Sequence, residues 1–334
     1  MAFTLIWGTG FETGTLGSIE KVEWVAPWQI TAGGIGGNYA AYAYAMYWGQ
    51  GEYYYRHVLT VPLSEFYFGI HWHPCNNDLN DRIRFYIGSS YIDIRHRNGT
   101  GGLVYYDISV GGSQVAYGAE IVHATRHIQV HVVIADSPNG VVEIRIDGQP
   151  YLTYNGDTKP GAETTVTKVG FRSTEGEWNY WWIDNMYIGT GGWGQEIKFT
   201  KLIPSADTAT IQWDCSTGGD HRALVDEVPA SDSDYIYSNT DGEKDLFDAG
   251  DFDATDKIIV GVILHTRAYK DVSGLNEVIP IVKSGGTEYP QANRVLDTTA
   301  YTYVDIFDNN PADSAEWEDA DLDALIIGVE NHIP

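Results

Sequence analysis

The 334-residue chain is poor in cysteine, in basic residues and in long apolar runs. Its two cysteines, Cys75 and Cys215, fall in different halves of the sequence, which rules out a disulfide framework. No run of 18 apolar residues occurs, so the sequence predicts no transmembrane helix. The first eight residues lack the basic region and the apolar stretch of a signal peptide. We therefore expect a protein that is made in a cytoplasm and has no membrane partner.

The shortage of basic residues sets the electrostatic character of the chain. Lys and Arg number 20 against 46 Asp and Glu, which gives a formal charge of −26. Residues 1–195 carry 11 basic against 18 acidic residues, and residues 196–334 carry 9 against 28. A field of this sign repels nucleic acid and anionic membranes. We therefore exclude nucleic acid as a partner, whereas a basic protein surface fits the second half.

Amphipathic helices of useful length are absent from the first half, where short, aromatic-rich, alternating runs follow one another instead. The clearest run is Val141–Ile146, which lies between the turn sequences Asn139-Gly140 and Asp147-Gly148. This texture predicts an all-β protein of two β-sandwich domains, the second smaller, acidic and with one or two short helices. The predicted divisions are a domain at residues 1–190, a Gly-rich linker at 191–196, a domain at 197–334, and helical stretches at 244–247 and 314–325.

Two segments bracket the first half of the chain. They are Phe11-Glu12-Thr13-Gly14 near its start and Trp182-Ile183-Asp184-Asn185-Met186-Tyr187-Ile188-Gly189 near its end. With the strands between them, they make residues 1–190 resemble a concanavalin/laminin-G-like jelly roll, in which an opening F-x-T-G strand pairs with a closing I-D-N strand. The resemblance implies a lectin-like domain that presents surfaces to partners, in a fold that often carries calcium near one rim.

The second half resembles a domain that is common in structural proteins of tailed bacteriophages. This resemblance implies a virion component that binds other virion proteins or host surfaces, and it implies no reaction. The segments that carry it, spread over residues 205–330, are Trp213, 221–227, 234–236, 244–247, 282–289, Trp317 and 324–329.

Glycoside hydrolysis is the enzymatic alternative, because laminarinase-like hydrolases share the jelly-roll fold. Their retaining mechanism needs two carboxylates about 5–5.5 Å apart, which the family supplies as Glu-x-Asp-x-x-Glu or Glu-x-Asp-x-Glu. The nearest match runs from Glu143 to Asp147, but Arg145 replaces the middle acid and Asp147 leads into a turn. Glu175-Gly176-Glu177 is followed by no third acid. We therefore predict no catalytic residue.

Metal binding has weak support in the sequence. The segment His71-Trp72-His73-Pro74-Cys75 lacks a second cluster at zinc-finger spacing, so we interpret its histidines as hydrogen-bonded residues at a strand end. His127 and His131 are four residues apart on a predicted strand, where the helical geometry of zinc proteases cannot form. We predict no cofactor, with calcium as the alternative, because one loop is rich in carboxylates although its spacing does not match the EF-hand pattern. The candidate calcium ligands are Asp248, Asp251, Asp253 and Asp256.

Two aromatic clusters are the candidates for binding a glycan or a protein partner. In the first, Tyr42 and Tyr44 alternate with alanines, as expected for a strand with one aromatic face. Aromatic rings stack on sugars and anchor protein interfaces, although core packing is the alternative for most of them. The candidate binding residues are Tyr42, Tyr44, Trp48, Trp178, Trp181 and Trp193.

These observations together predict a non-catalytic structural or accessory protein of a tailed-bacteriophage virion, in a capsid decoration or in a tail fibre or tip. It would act by adhesion to other virion proteins and to host surface polysaccharide, and we expect it to form a homo-oligomer. The alternatives are a carbohydrate-binding, lectin-like module and, less favoured, a laminarinase-like glycoside hydrolase.

Overall fold

The structure, a computed structural model, describes residues 3–9, 20–22, 29–32, 39–45, 52–73, 81–174, 179–194, 197–228, 230–252, 257–271 and 276–334. Side chains are described at 3–6, 57–59, 61–73, 81–171, 182–194, 197–228, 230–252, 257–271 and 276–334. Packing contacts divide the chain into two compact units, the first ending at Phe199 and the second covering Thr200–Pro334.

The described part of the first unit is made of antiparallel strands in two sheets. The strands are β1 (Thr4–Thr9), β2 (Glu20–Val22), β3 (Gln29–Ala32), β4 (Tyr39–Ala45), β5 (Glu52–Leu63), β6 (Glu65–His73), β7 (Arg82–Ile87), β8 (Ser90–Asn98), β9 (Leu103–Val110), β10 (Ser113–Tyr117), β11 (Ile121–Val122), β12 (Arg126–Val133), β13 (Gly140–Ile146), β14 (Gln149–Gly156), β15 (Val166–Thr174) and β16 (Asn179–Thr190). Sheet A has the order β14-β13-β12-β6-β16-β4-β3, with β1 also on β16. Sheet B has the order β10-β9-β8-β7-β15-β5-β2, with β11 also on β9.

The core of the first unit lies between the two sheets. Side chains alternate along a strand, so β6 sends Phe66, Phe68 and Trp72 inward, where all three are buried. Phe66 and Phe68 lie 5.0 and 5.4 Å from the Phe85 ring of sheet B, and Trp72 lies 4.8 Å from Phe171. Ile70 is buried with them, so the odd-numbered residues from Glu65 to His73 belong to the outer face of sheet A, opposite the core.

Strands from the two ends of the first unit pair as the jelly-roll resemblance implies. β1 runs antiparallel to β16, with Thr4 opposite Thr190 and Thr9 opposite Met186. The Phe11–Gly14 segment itself lies outside the described residues. The two-sheet sandwich confirms the predicted all-β class for this unit.

The Asp184-Asn185 pair of the closing strand builds a β-bulge. Asp184 lies opposite His71 and Tyr187 lies opposite Gly69, so β16 has one extra residue relative to β6 between these two pairs. Asn185 has φ 47°, a left-handed conformation that asparagine adopts more readily than most residues. Without the extra residue Tyr187 would face the core; with it, Tyr187 faces outward from sheet A.

The second unit has two layers. Its described strands are β17 (Ala206–Ile211), β18 (Asp214–Cys215), β19 (Ile236–Tyr237), β20 (Lys244–Asp248), β21 (Val262–Ala268), β22 (Glu277–Ser284), β23 (Thr287–Pro290), β24 (Arg294–Val295), β25 (Tyr301–Phe307) and β26 (Ile326–His332), with a 3₁₀ turn at Arg222–Leu224 and helix α1 at Asp319–Asp323. One sheet has the order β17-β20-β26-β22-β23, with β24 on β22, and two further ladders are β18-β19 and β21-β25. Leu264 and Phe307 of the β21-β25 ladder share a buried cluster with Val282 of the sheet.

The predicted helical stretch at 244–247 is wrong, because these residues belong to strand β20. The consecutive residues Asp245, Leu246 and Phe247 are all buried, as in a central strand covered on both faces. The Asp245 carboxylate accepts hydrogen bonds from the backbone N–H groups of Gln212 and Trp213, at 2.6 and 2.8 Å. These long-range contacts decide the local structure.

The second predicted helix forms, but it is shorter than the predicted 314–325. Helix α1 covers Asp319–Asp323 and begins at a capping box between Glu318 and Asp321. Ser314 has φ 63°, which is incompatible with a right-handed helix. Among the helices in the described ranges, none has the length and apolarity to cross a membrane.

We expect the stability of the second unit to depend on pH through His265 of β21. Burial lowers its pKa to about 4 from the ordinary 6.5, and its buried Nδ1 has no hydrogen-bond partner among the described residues. Between pH 6.5 and about 4 the unfolded chain therefore binds a proton that the folded chain does not, so stability falls as the pH decreases through this window. We expect a loss of at most about 3 kcal/mol.

The measurement is the unfolding free energy of the full chain from pH 7 to pH 4, compared with that of His265→Gln. The variant should lack the decrease. Burial raises the pKa of Asp305 and Asp308, which acts in the opposite direction at the acidic end, but both carboxyls are present in the two proteins. Identical pH dependence in the two proteins would contradict the assignment to His265.

Candidate functional site

A cavity of about 540 Å³ lies on the outer face of sheet A, entirely within the first unit. Strands β6, β12 and β13, the β13-β14 turn and the segment after β16 all contribute to it. Its lining residues are His71, Thr125, Arg126, His127, Gln129, Arg145, Asp147, Gly148, Trp193 and Gly194.

Strand register brings the polar side chains of this cavity together. His71 lies directly opposite His127, and Gln129 lies opposite Arg145 on the next strand. Directly opposed residues of antiparallel strands point to the same face. The His71 and His127 rings stack with their centroids 4.8 Å apart. Polar residues that are far apart in the sequence therefore form one polar patch, made of two neighbouring cross-strand pairs on β6, β12 and β13.

Tyr187 lies next to this polar patch, and Gly69 leaves room for its ring. A Cβ atom on Gly69 would coincide with the Tyr187 ring, so the ring can lie over β6 because residue 69 has no side chain. The Tyr187 hydroxyl is 3.3 Å from Nε2 of His127 and accepts a hydrogen bond from Gln129 Nε2 at 3.2 Å. The bulge in β16 thus supplies a buried polar anchor for two cavity residues.

The Gln129 amide is fixed in one orientation. Its Nε2 donates to the Gly194 carbonyl oxygen at 2.6 Å, which requires the nitrogen to point there. Its Oε1 accepts no hydrogen bond from any described residue, and it remains an acceptor for a ligand. The segment 191–194, expected to belong to a linker, therefore lies against sheet A, with Gly194 buried.

Arg145 is held flat against an aromatic ring. Its guanidinium carbon lies 4.0 Å from the centroid of the Trp193 ring, a cation–π contact. Its Nε donates to Glu143 at 3.0 Å, and its two terminal nitrogens make no hydrogen bond with the described residues. The side chain is 29% exposed. A planar guanidinium with a free edge therefore borders the cavity.

Two further aromatic rings contact Trp193. The rings of Tyr67 and His131 approach it at 5.2 and 5.9 Å, and they stack on each other at 4.3 Å. Burial raises the pKa of Tyr67, and the carboxylates of Glu65 and Glu143 raise it further. Tyr67 therefore keeps its proton at neutral pH.

Asp147 in the cavity lining and Glu143 beside Arg145 are both held in ion pairs. Asp147 accepts from Arg126 Nη1 at 2.7 Å and from the His127 backbone N–H at 3.0 Å. Glu143 accepts from Arg145. These acids, the nearest match to a glycosidase motif, therefore position arginines. The other acid pair considered, Glu175 and Glu177, lies outside the described residues.

Of the six aromatic residues predicted to bind a partner, Trp193 lies in the cavity. Tyr42 and Tyr44 lie on β4, opposite Trp182 and Tyr180 of β16, and Trp181 lies on β16 opposite Ala43. The side chains of these three residues, and all of Trp48 and Trp178, fall outside the described parts of the chain. Sequence reasoning selected neither the other nine lining residues nor Tyr187 as binding residues. The most important of these for the site are His71, His127, Gln129, Arg145 and Tyr187.

The predicted metal ligands can be placed only in part. Asp248 ends β20 and Asp251 follows it, whereas Asp253 and Asp256 lie outside the described residues. Within the described ranges, no group of three or more His, Cys, Asp or Glu residues could hold a metal ion. Calcium binding therefore stays a prediction. Of the histidines interpreted as hydrogen-bonded, His73 has its Nδ1 at 2.9 Å from the Thr125 hydroxyl.

Comparisons with known proteins do not place the chain in a family. No protein-family model and no curated protein sequence matches the chain. Among solved structures, the alginate lyase Aly36B is 11% identical, with a TM-score of 0.38 over 53% of this chain and 98% of that chain. A galectin-like protein from Bacillus subtilis is 11% identical, with a TM-score of 0.41 over 56% and 98%.

A carbohydrate esterase from the Shiga toxin-encoding bacteriophage phi24B is 10% identical, with a TM-score of 0.39 over 57% of this chain and 100% of that chain. At these values the likenesses assign neither an activity nor a ligand to this chain.

Proposed function

We propose that the chain is a glycan-binding adhesion protein, whose first unit holds a sugar in the cavity on the outer face of sheet A. Sugar hydroxyls both donate and accept hydrogen bonds, and the cavity offers free donors on Arg145 and a free acceptor on Gln129. Its volume of about 540 Å³ lies within the range of about 300–1,000 Å³ that is usual for small-ligand sites. The convergence of these preoriented polar groups beside Trp193 carries the proposal.

Binding without hydrolysis fits the state of the carboxylates. A retaining or inverting hydrolase needs one acid to donate a proton and a second to attack the sugar or activate water. Glu143 and Asp147 are instead engaged by Arg145 and Arg126. We therefore propose adhesion as the activity of this face of the protein.

We further propose that this adhesion serves a tailed-bacteriophage virion, as a capsid decoration or a tail component. The support is the ordered set of segments over residues 205–330 that resembles phage structural proteins. Immunogold electron microscopy of intact particles tests this directly. Labelled capsids or tails are expected, and unlabelled particles from a lysate that contains the protein would contradict the virion assignment.

Removing the Gln129 amide is expected to weaken glycan binding by at least about tenfold. Gln129→Ala loses the free acceptor and also the hydrogen bond that holds Gly194 beside the cavity. A glycan array identifies a ligand of the full chain, and isothermal titration then compares the two proteins.

Gln291→Ala is the matched control for this experiment. Gln291 belongs to the second unit and donates from Nε2 to the Tyr289 carbonyl oxygen, so the same atoms are removed away from the cavity. The control should bind the glycan as the unaltered chain does. An array with no signal, or equal binding by Gln129→Ala, would overturn the proposed site.

A further inference from the structure

The free edge of Arg145 has the shape that recognises a carboxylate. The guanidinium is planar, and with Nε occupied by Glu143 its two terminal nitrogens remain side by side. Two coplanar N–H donors match the two oxygens of one carboxylate. Stacking on Trp193 restricts the rotation of the guanidinium, so less side-chain entropy is lost when a ligand binds.

The charges at the cavity differ from those of the chain as a whole. The chain has 46 acidic against 20 basic residues, whereas the cavity lining has two arginines and one aspartate. The aspartate, Asp147, is paired with Arg126, and Glu143, which lies outside the lining, is paired with Nε of Arg145. The net charge of the protein repels anions, but at this cavity the terminal nitrogens of Arg145 can bind one.

The polar groups of the cavity also orient an acidic sugar. Gln129 Oε1 is an acceptor, which repels a carboxylate but accepts a hydrogen bond from a hydroxyl. Arg145, which lies opposite Gln129 across β12 and β13, provides donors only. A ligand with a carboxylate at one end of a ring and hydroxyls at the other satisfies both residues at once.

We propose that the ligand is an acidic polysaccharide, and that the carboxylate of a uronic acid residue binds the terminal nitrogens of Arg145 while a ring hydroxyl donates to Gln129. This inference rests on the proposed glycan-binding function and specifies the class of glycan.

The test compares polyuronates with their own methyl esters. Oligomers of polygalacturonate and of polyglucuronate, and the fully esterified forms, are titrated into the full chain. Esterification keeps the backbone and its hydroxyls but removes the charge and one acceptor. We expect at least one acid form to bind at least about tenfold more tightly than its ester, with a preference that shrinks as salt is raised.

Arg145→Gln is expected to abolish the preference for the acid form. Arg222→Gln is the matched control, because it removes the same charge from the second unit, where Arg222 pairs with Asp220 and Asp226. The control should keep the full preference. Circular dichroism and the unfolding midpoint show whether each variant is folded.

Different failures separate this inference from the proposed function. Equal binding of acid and ester, binding of neutral glycans only, a sulfated dextran that binds as tightly as the polyuronate, or an unchanged preference in Arg145→Gln would overturn the inference and leave glycan binding in place. No binding to any neutral or acidic glycan on the array or in titration would overturn both.

Discussion

Replacing Asp107 with asparagine is expected to destabilise the protein by about 3 to 5 kcal/mol. Asp107 lies on β9 with its side chain 0% exposed, and its two oxygens accept from Arg95 Nε at 2.5 Å and from Arg97 Nε at 2.9 Å. Asparagine has nearly the same shape, but it leaves two largely buried guanidinium groups without this counter-charge. The cost of an uncompensated buried charge exceeds the loss of the hydrogen bonds themselves.

Asp136→Asn is the control, because it removes the same charge from a side chain that is exposed to solvent. Asp136 pairs with Lys159 at 2.8 Å, but its side chain is 74% exposed, and such pairs contribute about 0–1 kcal/mol. Denaturant unfolding of the full chain measures both variants. Similar small effects of the two substitutions would show that the Arg95–Asp107–Arg97 group does not stabilise the fold.

Gly69→Ala is expected to abolish glycan binding and to cost about 1–3 kcal/mol of stability. The new methyl group would occupy the position of the Tyr187 ring, which is buried and has little room to move. Displacing Tyr187 breaks its contacts with His127 and Gln129, two residues that line the cavity. A single methyl group at the centre of sheet A should therefore change the positions of the side chains that bind the glycan.

Gly161→Ala provides the comparison, since a Cβ at that position meets no heavy atom within 4 Å. Binding of the array-identified glycan and the unfolding midpoint are measured for both variants. Gly161→Ala should resemble the unaltered chain in both. Full affinity in Gly69→Ala would mean that Tyr187 does not organise the cavity.

Local signals in the sequence predicted the all-β class of the first unit, and the jelly-roll resemblance predicted the pairing of its terminal strands. Alternation in Val141–Ile146 between two turn sequences predicted strand β13, and the Asp184-Asn185 pair marked the closing strand. The error at 244–247 has a different origin. Those residues form a strand because β17 and β26 lie on either side of them. Pairing with strands that are distant in the sequence cannot be predicted from these four residues alone.

The site was less accessible to sequence reasoning than the fold. Trp193 was predicted because it belongs to an aromatic cluster of the kind that stacks on sugars or anchors protein interfaces. Gln129 and Arg145 became functional candidates only when the register placed them opposite each other and when Gly194, 65 residues from Gln129, was found in contact with it. The alternation of His127, Gln129 and His131 with apolar residues did mark an outward polar face, and it was the available signal.

A crystal structure of the full chain soaked with a galacturonate oligosaccharide shows whether the cavity binds an acidic sugar. We expect a sugar ring in the cavity on the outer face of sheet A, with a hydroxyl within hydrogen-bond distance of Gln129 Oε1 and a carboxylate on the terminal nitrogens of Arg145. An oligosaccharide bound to sheet B or to the second unit, with the cavity free of ligand, would contradict it.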